Sequence, residues 1–165
     1  MSKCSIDTYS KVFEEKNCVE FDFNKYAQSC IFFLLCDSHV VYIGATTRGL
    51  TGVALAKDAL QKRWDIYPDS TMIMQVDANN ADQILTHYLL KYNPSYNDRV
   101  PKDGAYTINT VKKKLLQDFG VSLNRAAVVK LLNKYLIQQH YFSMRYYIKK
   151  SQYELLLFKM RSELM

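Results

Sequence analysis

The stretch CIFFLLCDSHVVYIGATTRG, residues 30–49, holds two apolar runs that a polar pair separates. Apolar runs on both sides of Asp37 and Ser38 predict two strands that are joined by a tight hairpin. The second run ends at Tyr42-Ile43-Gly44, and glycines and threonines then disfavour a helix in the loop TTRGLTG. The stretch therefore predicts the start of a β-sheet, with a tyrosine and a glycine at the end of its second strand.

The residues after this loop predict further alternation of helix and strand. Apolar residues recur at helical spacing in VALAKDALQKRWDIY, residues 53–67, and Pro68 prevents the helix from continuing. TMIMQV, residues 71–76, predicts a third strand. ANNADQILTHYLLKY, residues 78–92, predicts a second helix.

The segment before the hairpin gives weaker signals. Residues 5–18 have a faint helical pattern, and VEFDFNKY, residues 19–26, alternates like a short strand. Hydrophobic residues make up 48% of the chain and charged residues 23%, which is typical of a globular protein. We therefore expect an α/β (α+β) domain over residues 1–98, with an N-terminal extension and a small mixed β-sheet flanked by helices.

Charge divides the chain at the same place as its most linker-like segment. NPSYNDRVPKDGAY, residues 93–106, contains two of the three prolines and predicts a domain boundary near residue 98. Residues 1–98 contain 9 Lys and Arg against 12 Asp and Glu, whereas residues 99–165 contain 13 against 4. Since a concentrated positive charge attracts polyanions, the second part predicts nucleic acid as a partner.

The second part also resembles a helix-turn-helix followed by a wing, a winged-helix-like module. TVKKKLLQDFG and SLNRAAVVKLLNKYL predict two helices, with Gly120 at the turn between them and Ser122 as the cap of the second. In such motifs the start of the second helix contacts base edges, and Asn124 and Arg125 suit adenine and guanine. YFSMRYYIKK, residues 141–150, predicts a strand that serves as the wing.

The candidate nucleic-acid-binding residues are therefore basic or amide side chains of residues 99–165. They are Lys112, Lys113, Lys114, Asn124, Arg125, Lys130, Lys134, Arg145, Lys149 and Lys150. The alternative is a small helical domain that packs its aromatic residues in a core and leaves its lysines solvated.

The cellular compartment is predicted from features that the sequence lacks. It contains no apolar run long enough to span a membrane, and its first residues lack the apolar core of a secretory signal. Its four cysteines form no CxxC pair and have no histidine at zinc spacing, so we expect reduced thiols. These observations favour an intracellular protein of the cytoplasm or nucleus that is neither secreted nor bound to membranes.

Residues 28–98 resemble the GIY-YIG nuclease superfamily in the order of elements and in several motifs. Tyr42-Ile43-Gly44 matches the second signature, while the first falls on Cys30-Ile31-Phe32, with the spacing kept and a phenylalanine in place of the tyrosine. Arg63 and Tyr67 reproduce the spacing of the family's Arg and His or Tyr. YNPSYN, residues 92–97, matches the closing motif.

The resemblance implies Tyr42, Arg63, Tyr67 and Asn97 as the catalytic residues. Tyr42 would act as a base or position the nucleophile, Arg63 would bind the phosphate, and Tyr67 would orient water. The metal-binding Glu of the family falls on Leu85, or on Thr86 if the helix slips, and neither is a carboxylate. Asp82 would replace it only if the helix were displaced.

We therefore expect a nucleic-acid-binding protein, in the first place for DNA, on a nuclease-like fold whose cleavage is lost or greatly weakened. A protein that binds nucleic acid without cleaving it needs no cofactor. The alternative is an active endonuclease with an atypical site, which would require Mg²⁺ because phosphodiester hydrolysis needs a cation to neutralise charge. A further alternative is a scaffold that binds proteins. For all three alternatives the sequence leaves open whether the chain also binds a protein partner or forms a homodimer.

Overall fold

The computed structural model describes residues 11–20, 29–101 and 104–164. The chain divides into two compact units, Met1–Pro101 and Lys102–Met165, and the described residues of both combine helices with an antiparallel sheet. The protein is thus α+β, as expected. None of the described helices has the length and apolar character that crossing a membrane requires.

Within the described residues of the first unit, the sheet has four strands in the order β1-β4-β2-β3. They are β1 (Val19–Glu20), β2 (Cys30–Cys36), β3 (His39–Thr46) and β4 (Ser70–Gln75). The expected hairpin is confirmed, but the expected mixed sheet is wrong, because all described pairs in this sheet are antiparallel. The strands β4 and β3 run parallel to each other, but β2 lies between them and pairs with both, so no parallel pair forms.

A tight turn at Asp37 and Ser38 fixes the hairpin. Both residues have positive φ, 49° and 66°, as a type I′ turn requires. The turn is anchored because the Asp37 N–H donates to the carboxylate of Asp69 at 2.8 Å. This anchor joins the hairpin to the residue just before β4.

Strand β2 is the centre of the first core, and every residue in it is buried. On one face Phe32 and Leu34 belong to a cluster with Val53 and Leu60 of α1 (Leu50–Trp64). On the other face Phe33 contacts aromatic rings of α2 (Ala81–Tyr92), with centroids 5.2 Å from Tyr88 and 6.0 Å from Tyr92. A strand buried on both faces explains the uninterrupted apolar run.

Gly44 is required by the close approach of Phe32, its partner across the β2–β3 pair. A Cβ at position 44 would lie 2.3 Å from Cζ of the Phe32 ring, far inside van der Waals contact. The ring of Phe32 therefore lies over the main chain of Gly44. This contact explains why a glycine ends the second apolar run.

Helix α1 ends three residues earlier than its periodicity predicts. Asp65 adopts a left-handed conformation, and its N–H donates to the carbonyl of Gln61 at 3.0 Å. Ile66 then turns into the core, where it is buried against the β2 cluster. Arg63 and Tyr67 consequently do not lie one helical turn apart, because only Arg63 belongs to the helix.

The N-terminal expectations are met only in part. The described residues 11–18 contain no helix, and Val12 instead forms an isolated bridge with His39. The predicted strand over residues 19–26 appears as β1, and its remainder lies outside the described residues. A short 3₁₀ helix, Ala78–Asn80, precedes α2.

In the second unit, residues 104–164 contain a three-stranded antiparallel sheet in the order β5-β7-β6. Its elements are β5 (Ala105–Thr107), α3 (Ile108–Phe119), α4 (Arg125–Lys134), β6 (His140–Phe142), β7 (Arg145–Lys149) and α5 (Lys150–Glu163). Val111, Leu115, Val128 and Leu132 pack α3 against α4 in a core that Ile148 joins. The unit therefore has a core of its own.

Two local expectations for this unit need correction. Gly120 has a positive φ of 66° at the end of α3, as predicted, but α4 is capped by Asn124 and not by Ser122. The predicted single strand over residues 141–148 is a hairpin, because Ser143 and Met144 both adopt positive φ and form its turn.

Of the three cysteines that the structure describes, one differs from the expectation of reduced thiols. Cys18 and Cys30 are free, and burial together with the charge of Glu15 raises the pKa of the Cys18 thiol to about 11. Cys36 at the end of β2 is disulfide-bonded. Sequence spacing did not predict this bond because a disulfide depends on proximity in three dimensions.

We expect Gly44→Ala to lower the free energy of unfolding by about 1–3 kcal/mol, because the new methyl group must displace the buried Phe32 ring. The measurement is urea unfolding followed by circular dichroism. Phe32→Leu should remove part of the clash. The double variant should therefore lose less free energy of unfolding than the sum of the losses in the two single variants. Additive effects would show that the two positions do not interact.

Candidate functional site

A cavity of about 600 Å³ lies in the first unit beside the end of β3, and we call it the β3 cavity. It is lined by Phe32 of β2, by residues of β3, by one side of α1, by two leucines of α2 and by residues 96–101. Three of the four predicted catalytic residues, Tyr42, Arg63 and Asn97, are among its lining. Tyr67 is not, because α1 has already ended.

Asn97 holds one wall of the β3 cavity against the sheet. The Ile43 N–H donates to Asn97 Oδ1 at 2.9 Å, and Asn97 Nδ2 donates to the Ile43 carbonyl at 2.8 Å. The Tyr96 N–H also donates to the carbonyl of Val41 at 3.2 Å. Asn97 is thus a positioning residue in the first place, since its oxygen and one of its N–H groups are used by the main chain.

Tyr42 lies where a β-bulge interrupts the pairing of β2 with β3. The register shifts between Leu34, which pairs with Tyr42, and Leu35, which pairs with Val40. Bulges redirect the side chains that follow them. The half-buried Tyr42 ring stacks on Phe32, with centroids 6.1 Å apart, and faces the β3 cavity.

The phenol of Tyr42 is held in its protonated form. Burial raises its pKa above the ordinary value, and the negative charge of Asp98 raises it further. A phenol with a raised pKa donates hydrogen bonds at neutral pH and is a poor general base. The predicted role of Tyr42 as a base therefore has no support from its surroundings.

Arg63 and Arg99 bring two positive charges to the lining of the β3 cavity. The Arg63 guanidinium lies 4.4 Å from the centroid of the Trp64 ring, a cation–π contact that holds it at the end of α1. Among the described residues, no carboxylate lies within ion-pair distance of either arginine. Both guanidinium groups are exposed and can bind an anion.

The expected carboxylate of α2 is replaced by an apolar side chain. Leu85 lines the β3 cavity, at the position where the resemblance implies a Glu. The alternative position, Thr86, is buried, and its hydroxyl donates to the carbonyl of Asp82 at 2.7 Å. Asp82 itself is exposed and does not line the cavity. Helix α2 therefore does not have the displaced position in which Asp82 would replace the expected Glu.

Asp98 is the single carboxylate among the described lining residues, and the sequence analysis did not select it. Its position directly after Asn97 places it on the wall that the amide holds. The described part of the chain contains no group of three or more His, Cys, Asp or Glu that could hold a metal ion. The residues present therefore do not fit a Mg²⁺ site made by the protein alone, because a hard cation needs several oxygen ligands.

Trp64 and Arg99 are two further residues that the sequence analysis missed. The Trp64 ring lies 5.4 Å from Tyr96, centroid to centroid, and both line the β3 cavity. Trp64 directly follows Arg63, and Arg99 is part of the segment after the closing motif. For Trp64 the available signal was its adjacency to Arg63, and for Arg99 it was a position two residues after Asn97.

In the second unit, the lysines of α3 differ in their surroundings. Lys112 and Lys113 are exposed. Lys114 is half-buried, and its ammonium lies 4.7 Å from the Tyr106 ring and 5.8 Å from the Tyr153 ring. The geometry therefore favours Lys112 and Lys113 for phosphate contacts and gives Lys114 a packing role.

The predicted base contacts of α4 are corrected at Asn124. Its side-chain oxygen accepts a hydrogen bond from the Ala127 N–H at 2.8 Å, as a helix cap. Reading adenine with two hydrogen bonds needs this oxygen as well as the amide nitrogen, so that contact is not available. Arg125 and Lys130 are exposed, whereas Lys134 forms an ion pair of 3.4 Å with Glu163.

The hairpin of β6 and β7 exposes aromatic and basic side chains near its turn. Tyr141 and Tyr146 face each other across the strands, with ring centroids 5.1 Å apart, and Arg145 is exposed beside them. Lys149 and Lys150 are half-buried, and burial lowers the pKa of Lys149. Arg145 is therefore the best placed of the three predicted wing cations to contact an anion.

We expect Asp98→Asn to lower the pKa of Tyr42 while leaving it above the ordinary value, because burial remains after the charge is removed. The measurement is an NMR titration of tyrosine labelled at Cζ, with Tyr42→Phe to assign the signal. Asp82→Asn is the control, since that carboxylate lies outside the β3 cavity. An unchanged pKa in Asp98→Asn would show that the two side chains do not interact.

Comparison with known proteins adds no assignment to this geometry. No family model, curated protein or solved structure matches the chain.

Proposed function

We propose that this chain is a DNA-binding protein with a GIY-YIG nuclease-like first unit and a winged-helix-like second unit, and that its cleavage activity is lost or greatly weakened. The observation that carries the proposal is Leu85. It occupies the β3 cavity where the resemblance implies a carboxylate, while Arg63 still lines the same cavity. The cavity thus keeps the group that binds a phosphate and lacks the expected metal ligand.

The chemistry of the β3 cavity favours binding over hydrolysis. Arginine pairs with phosphate through two N–H groups, and Arg63 and Arg99 supply two such side chains. Hydrolysis requires an activated nucleophile and stabilisation of the charge that develops in the transition state. Tyr42 is held protonated, and one carboxylate alone does not make a cation site. A bound phosphodiester would therefore meet positive charge without a strong base.

The second unit supports the nucleic-acid part of the proposal. Two helices joined at Gly120 precede a hairpin, the order expected of a helix-turn-helix with a wing. Exposed Lys112, Lys113, Arg125 and Lys130 lie on the helices, and Arg145 lies on the hairpin. Neutralisation of phosphates by such side chains releases counterions, which drives binding to DNA.

A second candidate, an active endonuclease with an atypical site, is favoured by one observation. Asp98 lines the β3 cavity close enough to Tyr42 for its charge to affect the phenol. Mg²⁺ in phosphoryl-transfer sites is often bound by one or two carboxylates together with phosphate oxygens of the substrate. An ion brought by DNA could therefore use Asp98, and assays of cleavage separate the two candidates.

Purified protein should not cleave plasmid, single-stranded or branched DNA in the presence of Mg²⁺ or Mn²⁺ above a trace level. The measurement is gel analysis of the products over time, with Arg63→Ala in parallel. Lys62→Ala is the matched control, because Lys62 is the preceding residue of α1 and does not line the β3 cavity. Cleavage that is lost in Arg63→Ala and kept in Lys62→Ala would establish the second candidate instead.

We expect DNA affinity to fall steeply with salt, and reversal of two lysines, Lys112→Glu with Lys113→Glu, to reduce this dependence. If both lysines contact phosphates, the slope of log K against log salt concentration should become shallower by about 2. The measurement is fluorescence anisotropy of a labelled duplex at several salt concentrations, repeated with RNA of the same sequence.

Reversal of Lys16 and Lys62, two exposed lysines of the first unit, is the control with the same change in net charge. An equal effect of both double reversals would show that only net charge matters. Affinity that does not depend on salt would remove the support for nucleic-acid binding.

A further inference from the structure

The lining of the β3 cavity is more apolar than a phosphate site requires. Phe32, Leu60, Leu85 and Leu89 contribute to its interior, and Leu55 on α1 lines it while being 57% exposed. Large apolar side chains left exposed at the rim of a cavity mark a binding surface. Phosphate groups gain nothing from such contacts, so the ligand should also carry an apolar group.

Aromatic rings and arginines occur together in this lining. Trp64 is 37% exposed, and the half-buried Tyr96 ring is tilted by 55° against it. Arg63 lies on the Trp64 ring, and Arg99 lines the same cavity. Flat aromatic surfaces favour the faces of nucleobases, and guanidinium groups favour the phosphate attached to them.

The size of the β3 cavity limits what can enter it. Its volume of about 600 Å³ lies within the range of sites for small molecules. A paired base cannot reach the interior of such a cavity, because it is stacked inside the duplex and must first leave the helix. One unpaired or flipped-out nucleotide has the size and the chemical groups that this lining favours.

We propose that the β3 cavity binds a single extrahelical nucleotide, with the base against Trp64, Tyr96 and Leu85 and the phosphate between Arg63 and Arg99. This inference rests on the proposed DNA binding and adds the kind of DNA that is preferred, namely duplexes with an unpaired nucleotide. Leu85 then has a positive role, since the side chain that removes a metal ligand provides apolar contact for the base.

Trp64 gives a direct readout because it is the single tryptophan of the chain. The probes are a labelled duplex with one unpaired adenine, the fully paired duplex of the same sequence, and a duplex with an abasic residue at the bulge. Anisotropy measures binding, and tryptophan fluorescence measures contact with the base in the cavity. We expect quenching with the unpaired adenine and much less quenching with the other two duplexes.

Variants test the residues that the proposal names. Trp64→Ala should lower the affinity for the bulged duplex roughly tenfold, as expected from the loss of one base–aromatic stack, and leave the paired duplex almost unchanged. Trp64→Phe keeps a ring and should retain most of the preference. Arg99→Ala should also weaken the bulged duplex, whereas Arg48→Ala should not, because Arg48 is exposed outside the β3 cavity.

The outcomes separate this inference from the proposed function. Binding of all three duplexes with equal affinity and no selective quenching would overturn the nucleotide site while the DNA-binding proposal stands. No binding to any duplex would overturn both. An equal loss of affinity for bulged and paired DNA in Trp64→Ala would also overturn the nucleotide site, since the ring would then not contact an unpaired base.

Discussion

The pair of hydrogen bonds between the Asn97 amide and the main chain of Ile43 determines where the β3 cavity lies. Strand β3 forms one wall, and the amide attaches residues 96–101 to that strand as a second wall. Tyr96, Asp98 and Arg99 reach the cavity because of this attachment. The contact of Phe32 with Gly44 completes the floor, since the ring occupies the space that any larger residue at position 44 would need.

The charges of the cavity favour the binding of an anion. Arg63 and Arg99 outnumber the one lining carboxylate, Asp98. Burial and Asp98 both keep the Tyr42 phenol protonated, so it can donate a hydrogen bond to a phosphate but cannot readily accept a proton. A metal ion that catalyses phosphodiester hydrolysis supplies several kcal/mol of transition-state stabilisation, and the one lining carboxylate does not form a cation site by itself. The lining of the β3 cavity is therefore better suited to binding an anion than to activating a nucleophile.

Local patterns predicted the strands β2, β3 and β4 because they contain the determinants of each strand, but they did not predict the antiparallel pairing of β4 with β2. Asp37 and Ser38 separate two apolar runs, and the uninterrupted run of β2 reflects burial on both faces. The end of α1 was not predictable in this way, because nothing in the apolar spacing shows that Asp65 takes a left-handed conformation. The hairpin turn at Ser143 and Met144 was missed for a similar reason, since neither is a usual residue for positive φ.

The sequence predicted only those residues of the candidate site that belong to a recognisable motif. Tyr42, Arg63 and Asn97 were found through their motif, but Asp98 and Arg99 acquire their roles from the Asn97 attachment, which is a tertiary contact. Trp64 was overlooked because an aromatic residue at helical spacing normally predicts a core position, and here it is 37% exposed beside the cavity.

The proposed division of affinity and selectivity between the two units has a physical advantage. The basic residues of the second unit can bind any phosphate backbone, and such contacts contain no information about base pairing. In the proposed complex the β3 cavity contacts only one nucleotide, so most of the affinity comes from contacts with the phosphate backbone. In this proposal, binding of DNA by the second unit raises the effective concentration of DNA at the first unit of the same chain, so that a weak preference for an unpaired base suffices to select a site.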